Sequence, residues 1–158
     1  MAKAYDRVEW QYLRCIMLKL GFKEDWVSLI MKCVKRVKFS VRVNGHFSEI
    51  FTPTRGIRQG DPISPYLFLL CAEGLSSLFK FTGPQFLAKG VRVGIHAPWV
   101  SYLLFADDCL LFTQATEKGV QRLSEILQTY LLGSGIFFGA NCDDQMKQNM
   151  KTCTGIFT

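Results

Sequence analysis

The chain has 158 residues, 49% hydrophobic and 13% aromatic, which suits one domain with a packed core and excludes a disordered segment. No apolar run approaches the roughly 20 residues of a membrane helix, and Lys3, Asp6, Arg7 and Glu9 follow Met1 too closely for a secretory signal. Charge is uneven: residues 1–58 hold 12 Lys/Arg and 5 Asp/Glu, residues 59–158 hold 7 and 8, so the basic first third is either a face for a polyanion such as nucleic acid or a solvated surface.

In chain order, the spacing predicts a first helix over 7–20. Asp6 and Glu9 have capping-box spacing, Trp10, Leu13, Met17 and Leu20 recur at helical period, and Gly21 ends the run. A second helix over 23–37 has Glu24 and Asp25 at its positive end. Its apolar stripe is Trp26, Ile30, Cys33 and Val37, and Lys32, Lys35 and Arg36 cluster on another face. The period then becomes two. Phe39, Val41 and Val43 alternate with Ser40 and Arg42, Asn44-Gly45 marks a tight turn, and 46–51 forms the returning strand. A turn-rich stretch, Arg55-Gly56-Ile57-Arg58-Gln59-Gly60-Asp61-Pro62, leads to a helix ending near Phe79, with Ser64 as its cap and Pro65 in its first turn. Tyr66–Ala72 is apolar on nearly every side, so this helix is expected to be deeply buried. A short strand over 91–95 follows, then strands over 101–106 and 109–113 flanking Asp107-Asp108. A last amphipathic helix over 117–132 carries Val120, Leu123, Leu127 and Tyr130. The fold class is α+β, helices on an antiparallel sheet. Six cysteines form no C-x-x-C pair, which points to reduced intracellular thiols and away from structural zinc.

Three segments carry chemistry. Asp107 and Asp108 sit between very apolar strands, in Tyr102-Leu103-Leu104-Phe105-Ala106-Asp107-Asp108-Cys109-Leu110-Leu111-Phe112. Taken alone they are an ordinary turn pair or hard oxygen ligands for divalent cations that stabilise a phosphoryl displacement. In Arg55–Pro65, Gly56 and Gly60 let backbone approach a ligand, Gln59 donates and accepts, and Arg55 and Arg58 suit phosphate; equally, the stretch is a tight loop entering a helix. Lys3-Ala4-Tyr5-Asp6-Arg7-Val8-Glu9-Trp10 alone marks a helix start.

In this order, Lys-Ala-Tyr-Asp, Arg-Gly-Ile-Arg-Gln-Gly-Asp-Pro-Ile-Ser-Pro and Phe-Ala-Asp-Asp resemble the reverse transcriptases of LINE-type (non-LTR) retrotransposons, particularly those of plant genomes. The likeness covers residues 1–132, which it marks as a polymerase palm fragment, and leaves 133–158 as a degenerate tail. It implies an RNA-directed DNA polymerase working on an RNA template, a DNA primer and deoxynucleoside triphosphates, with two Mg2+ ions. By position, Asp107 and Asp108 match the catalytic, metal-binding aspartates. Tyr5 matches the ring that excludes a ribose 2′-hydroxyl. Gln59 and Gly60 match the loop on the incoming nucleotide and template, with Arg55 and Arg58 as further substrate contacts. Lys32, Lys35 and Arg36 are candidate nucleic-acid contacts. Asp6 matches no metal ligand and is expected to cap the first helix. A nuclear location is implied by the family's life cycle.

The chain departs from the pattern at both ends. By the family's spacing the first catalytic aspartate is expected one residue before Met1, and its upstream strand, the fingers and the thumb are expected to lie outside these 158 residues. The palm is therefore expected to be incomplete and the chain inactive as it stands. After Gly133-Ser134-Gly135 the family's lysine-bearing stretch is missing, and Lys147 and Lys151 lie in another context. Two alternatives stand beside the polymerase fragment: a non-catalytic relic that binds nucleic acid through its basic first third, and a metal-dependent phosphoesterase using Asp107 and Asp108.

Overall fold

The computed structural model describes residues 4–81, 91–92, 94–105, 108–113 and 116–136. Five helices are present among them: α1 (Ala4–Arg7), α2 (Trp10–Lys19), α3 (Glu24–Lys35), α4 (Ser64–Phe81) and α5 (Glu117–Ser134). Two separate antiparallel hairpins accompany them, β1 (Arg42–Val43) with β2 (His46–Phe47), and β3 (Tyr102–Phe105) with β4 (Asp108–Leu111). The architecture is thus mixed helix with small antiparallel sheets. Among the described residues no helix is long and apolar enough to cross a membrane.

The core is built around α4, which packs on α2 and α5, while α2 packs on α3. Leu13 and Met17 of α2, Val27 and Ile30 of α3, Leu67 and Leu75 of α4 and Leu123 and Leu127 of α5 are buried together. Tyr12 and Tyr130 meet edge to face, and both hydroxyls donate to the backbone carbonyl of Cys71, at 3.1 and 3.0 Å. Gly74 makes room for this: a Cβ there would lie 1.8 Å from the Tyr12 hydroxyl. Burial pushes both phenols well above their usual range, and pushes the Cys71 thiol up to about 12 and the Cys109 thiol up to about 11. Cys15 and Cys33 are exposed. Brief iodoacetamide treatment of the folded chain at pH 8 is therefore expected to label Cys15 and Cys33 and spare Cys71 and Cys109 until denaturant is added. Peptide mapping that found Cys71 labelled as fast as Cys15 would contradict this packing.

The expected first helix is broken at Val8–Glu9. Three backbone bonds from distant segments take up the polar groups there: Gly56 N donates to Val8 O (2.8 Å), Ile57 N to Tyr5 O (2.8 Å), and Glu9 N to Ser134 O (2.9 Å). Those carbonyls and that N–H serve tertiary contacts, and a separate helix starts at Trp10. Asp6 consequently does not cap it; Glu9 is the capping position and makes no side-chain cap bond. At its other end α2 closes as foreseen. Gly21 (φ 89°) follows Leu20, Gly21 N donates to Leu18 O and Phe22 N to Met17 O, which is a Schellman cap.

The stripe of α3 is rotated from the expected one. Val27, Ile30, Met31 and Val34 are buried, whereas Trp26 and Cys33 are exposed. Trp26 instead stacks on Phe22 at the surface, at 4.8 Å between ring centroids. The Asn44-Gly45 turn is present with both residues at positive φ, 49° and 87°. Its strands are exposed on both faces, not half-buried. Helix α4 starts at Ser64, preceded by a turn in which the Asp61 carboxylate accepts from Ile63 N. It buries Leu67, Phe68, Cys71 and Leu75 but leaves Tyr66 and Leu69 exposed, so it is not covered on every side. Of the strand expected over 91–95, Val91 bridges Val100; Val93 lies outside the described residues. Helix α5 is capped by Thr116, whose hydroxyl accepts from Gly119 N. It runs through Ser134, and both Ser134 and Ile136 are fully buried.

Candidate active site

Loop 55–60 is held against α1 from below. Ile57 is its buried anchor, and its N–H reaches Tyr5 O. Gly56 adopts φ 89°, and a Cβ there would sit 2.9 Å from Asp6 O, so glycine is required both for conformation and for space. The Trp10 indole N–H donates to Gly56 O at 2.7 Å. Arg55 reaches Glu9 at 3.5 Å. With these bonds made beneath it, the loop presents Arg58, Gln59 and Gly60 to solvent.

A cleft of about 420 Å³ opens beside this loop. Its polar wall is Asp6, Arg55, Arg58 and Gln59; its apolar wall is Val34, Val37, Phe39 and Phe51. Tyr5 is half-buried and stacked on Phe68 of α4, with centroids 4.9 Å apart and planes 12° from parallel. The structure brings the Tyr5 backbone to the Arg55–Gly60 loop through Ile57 N and Tyr5 O, while the Tyr5 ring packs on α4 and is not among the residues that line the cleft.

Asp108 stands on another element. In the β3–β4 ladder Phe105 pairs with Asp108, and residues 106 and 107, which lie outside the described part, fall between them. Tyr102, Leu104, Cys109 and Leu111 face the core, and Leu103, Phe105, Asp108 and Leu110 face outward. Asp108 is thus the exposed first residue of β4. The hairpin docks on α4 through Tyr102, which stacks on Phe79 at 4.9 Å. Helix α4 carries both stacks, on Phe68 and on Phe79 eleven residues later, a rise of about 16 Å.

Lys32 and Lys35 lie in the last turn of α3 and Arg36 caps it, where cations also offset the helix dipole. Lys35 lies 5.9 Å above the Trp10 ring. Trp10 is the residue that the periodicity undervalued. It reads as one position of an apolar stripe, yet its N–H holds a carbonyl 46 residues away; the hint was a donor-bearing ring at the edge of that stripe.

Magnesium takes hard oxygen ligands. The Asp108 carboxylate is of that kind, but among the described residues no group of three or more His, Cys, Asp or Glu could hold a metal ion. The donor chemistry fits; the described donors are too few to form the site themselves.

Comparison with known proteins identifies the family. The family described as reverse transcriptase (RNA-dependent DNA polymerase) matches residues 1–141. The chain is 29% identical over 141 residues to the retrovirus-related Pol polyprotein of the type-2 retrotransposable element R2DM of Drosophila melanogaster, covering 89% of this chain and 12% of that protein. It is 28% identical over 134 residues to an uncharacterized 149 kDa protein of transposon TX1 of Xenopus laevis, covering 84% of this chain and 10% of that one. An uncharacterized mitochondrial protein of Arabidopsis thaliana is 38% identical over 97 residues, 61% of this chain and 75% of its own length. The chain thus spans about a tenth of the retrotransposon proteins it matches, and it belongs to the reverse transcriptase family.

Proposed function

We propose that this chain is the palm part of a non-LTR retrotransposon polymerase, which adds deoxynucleotides to a DNA primer on an RNA template. The observation that carries this reading is the docking of loop 55–60 onto α1, through Ile57 N to Tyr5 O and Gly56 N to Val8 O. It joins the residue matched to sugar selection with the loop matched to nucleotide and template. In this reading Arg55 and Arg58 face phosphate, Gln59 and Gly60 line the path of the incoming nucleotide, and Lys32, Lys35 and Arg36 hold the backbone of template or primer. Asp107 and Asp108 would hold magnesium, which when bound stabilises charge on the attacking and leaving oxygens. In this reading the working protein acts inside the cell, in the nucleus.

The test is RNA-templated primer extension by a chimera in which this chain replaces the segment of the Drosophila polyprotein to which it aligns. Extension that requires deoxynucleotides and the RNA template supports the assignment. Well-folded chimeras that bind primer–template and never extend it refute it. A polypeptide of these 158 residues alone is expected to give no extension. Two adjacent carboxylates would have to hold two divalent cations beside a triphosphate, and among the described residues no group of three or more candidate ligands is present.

Tyr5 gives a sharper test. Its ring is fixed by the stack on Phe68, so it can act as a wall under the sugar. Tyr5→Ala in the chimera is expected to raise the use of ribonucleotides relative to deoxynucleotides by about ten- to a hundredfold. Tyr5→Phe is expected to leave the ratio unchanged. A Tyr5→Ala chimera that still rejects ribonucleotides would remove Tyr5 from this role.

A further inference from the structure

The β1–β2 hairpin continues from the Phe39–Phe51 wall of the cleft and carries an exposed ring, Phe47, to which the nucleotide-addition reading gives no role. Every residue from Lys38 to Thr52 is exposed. Three phenyl rings stand in this segment, Phe39, Phe47 and Phe51, and Phe47 is 72% exposed. They are not lost from a core; they are set on a ribbon that leaves it. The ribbon is braced. Phe39 and Phe51 exchange two backbone bonds of 2.9 Å, and one extra residue on the return strand makes a bulge between that bridge and the Arg42–Phe47 pair. At the bulge Ser48 Oγ accepts from Val41 N, and Ser40 Oγ donates to Ser48 O.

Cations flank these rings in the sequence. Between Lys32 and Arg58 the sequence holds seven Lys/Arg and one acid, Glu49. Among the described residues, no carboxylate pairs with Lys32, Lys35, Arg36, Lys38, Arg42 or Arg58. The Arg42 guanidinium lies 5.5 Å over the Phe47 ring, so cation and ring form one surface.

Candidate partners make different demands on such a surface. A duplex hides the faces of its bases and would use the cations alone. An apolar protein patch would use the rings and leave the cations without counter-charge. A single strand uses both, because its phosphates meet the cations and its unpaired bases stack on the rings. We propose that the β1–β2 hairpin is a platform for single-stranded nucleic acid. Unpaired bases stack on Phe47 and on the Phe39–Phe51 pair, while Lys38 and Arg42, with Lys32, Lys35 and Arg36 behind them, hold the phosphates. The platform requires neither Asp108 nor a metal, so it stands whether or not the nucleotidyl-transfer reading does.

The test uses the 158-residue chain in EDTA at about 0.15 M salt. Fluorescence anisotropy follows binding of labelled oligo(dT) and oligo(rU) of about 12 nucleotides and of a blunt duplex of the same length. Single strands are expected to bind at least about tenfold tighter than the duplex. Phe47→Ala is expected to weaken single-strand binding about fivefold or more and Phe47→Trp to retain it. Arg42→Ala is expected to lower the salt dependence by about one phosphate contact. Phe47 is so exposed that its replacement removes little packing, and circular dichroism checks that each variant keeps its helices. The proposal is overturned by equal affinity for duplex and single strand, by a Phe47→Ala variant that binds like the parent, by no binding at all, or by tighter binding to phosphatidylserine vesicles than to either oligonucleotide.

Discussion

Asp108→Ala in the chimeric polymerase is expected to cut RNA-templated extension by at least about a hundredfold, because loss of groups that merely support a metal ligand already costs 10–100-fold. The reason lies in where the residue stands. Asp108 opens β4, opposite Phe105, on the outward face of a hairpin whose other face is packed on α4. Among the described residues, Leu103, Phe105 and Leu110 around it carry apolar side chains with no oxygen, so none of these three can replace it. Since Asp108 is exposed and fills no core volume, the substitution is expected to leave thermal stability nearly unchanged, within about 0.5 kcal/mol. Primer extension and a melting curve on the same preparation separate loss of chemistry from loss of fold. Full activity in a stable Asp108→Ala chimera would end the metal-ligand assignment.

Gly135→Ala is expected to destabilise the chain by about 2–4 kcal/mol, combining the cost of a left-handed backbone at a residue with a Cβ and the cost of overpacking. Gly135 has φ 73°, and a Cβ there would lie 2.5 Å from Arg7 O and 2.9 Å from Glu9 Cγ. The first of these is a backbone atom at the break between α1 and α2, already tied by Glu9 N to Ser134 O. Neither side can yield without moving the end of α5 off α1. Gly133→Ala is the internal control. It lies in α5, and its nearest neighbour is the Tyr12 ring at 3.7 Å, an ordinary contact. That change is expected to be neutral or to stabilise by up to about 1 kcal/mol. Urea titrations of the two variants make the comparison; equal midpoints would mean that the end of α5 does not dock as described.

Features fixed by nearby residues were legible in the sequence. The Asn44-Gly45 turn, the Gly21 helix stop and the spans of α4 and α5 follow from local φ requirements and helical period. Features fixed from a distance were not. The break at Val8–Glu9 is made by partners near positions 56 and 134, and nothing within 7–20 announces it. The α3 stripe was misplaced because Trp26 and Cys33 look apolar, while a surface stack with Phe22 satisfies Trp26 instead. The alternation of Phe39, Val41 and Val43 promised a buried face, and no described element covers it. For the site, the motifs themselves nominated Tyr5, Arg58, Gln59 and Asp108. The contact between Tyr5 and loop 55–60 came from the fold, as did the role of Trp10 beneath Gly56. Asp107 lies outside the described residues, and its place beside Asp108 rests on the sequence.

Helix α4 acts as a ruler. Tyr5 is referenced to it at Phe68 and the Asp108 hairpin at Phe79, so the separation of the two is counted in residues of one rigid rod. Adding or removing a single residue between those marks would turn one stack about 100° relative to the other and shift it by about 1.5 Å. The stretch between Phe68 and Phe79 is therefore one where composition can drift within its packing but length cannot.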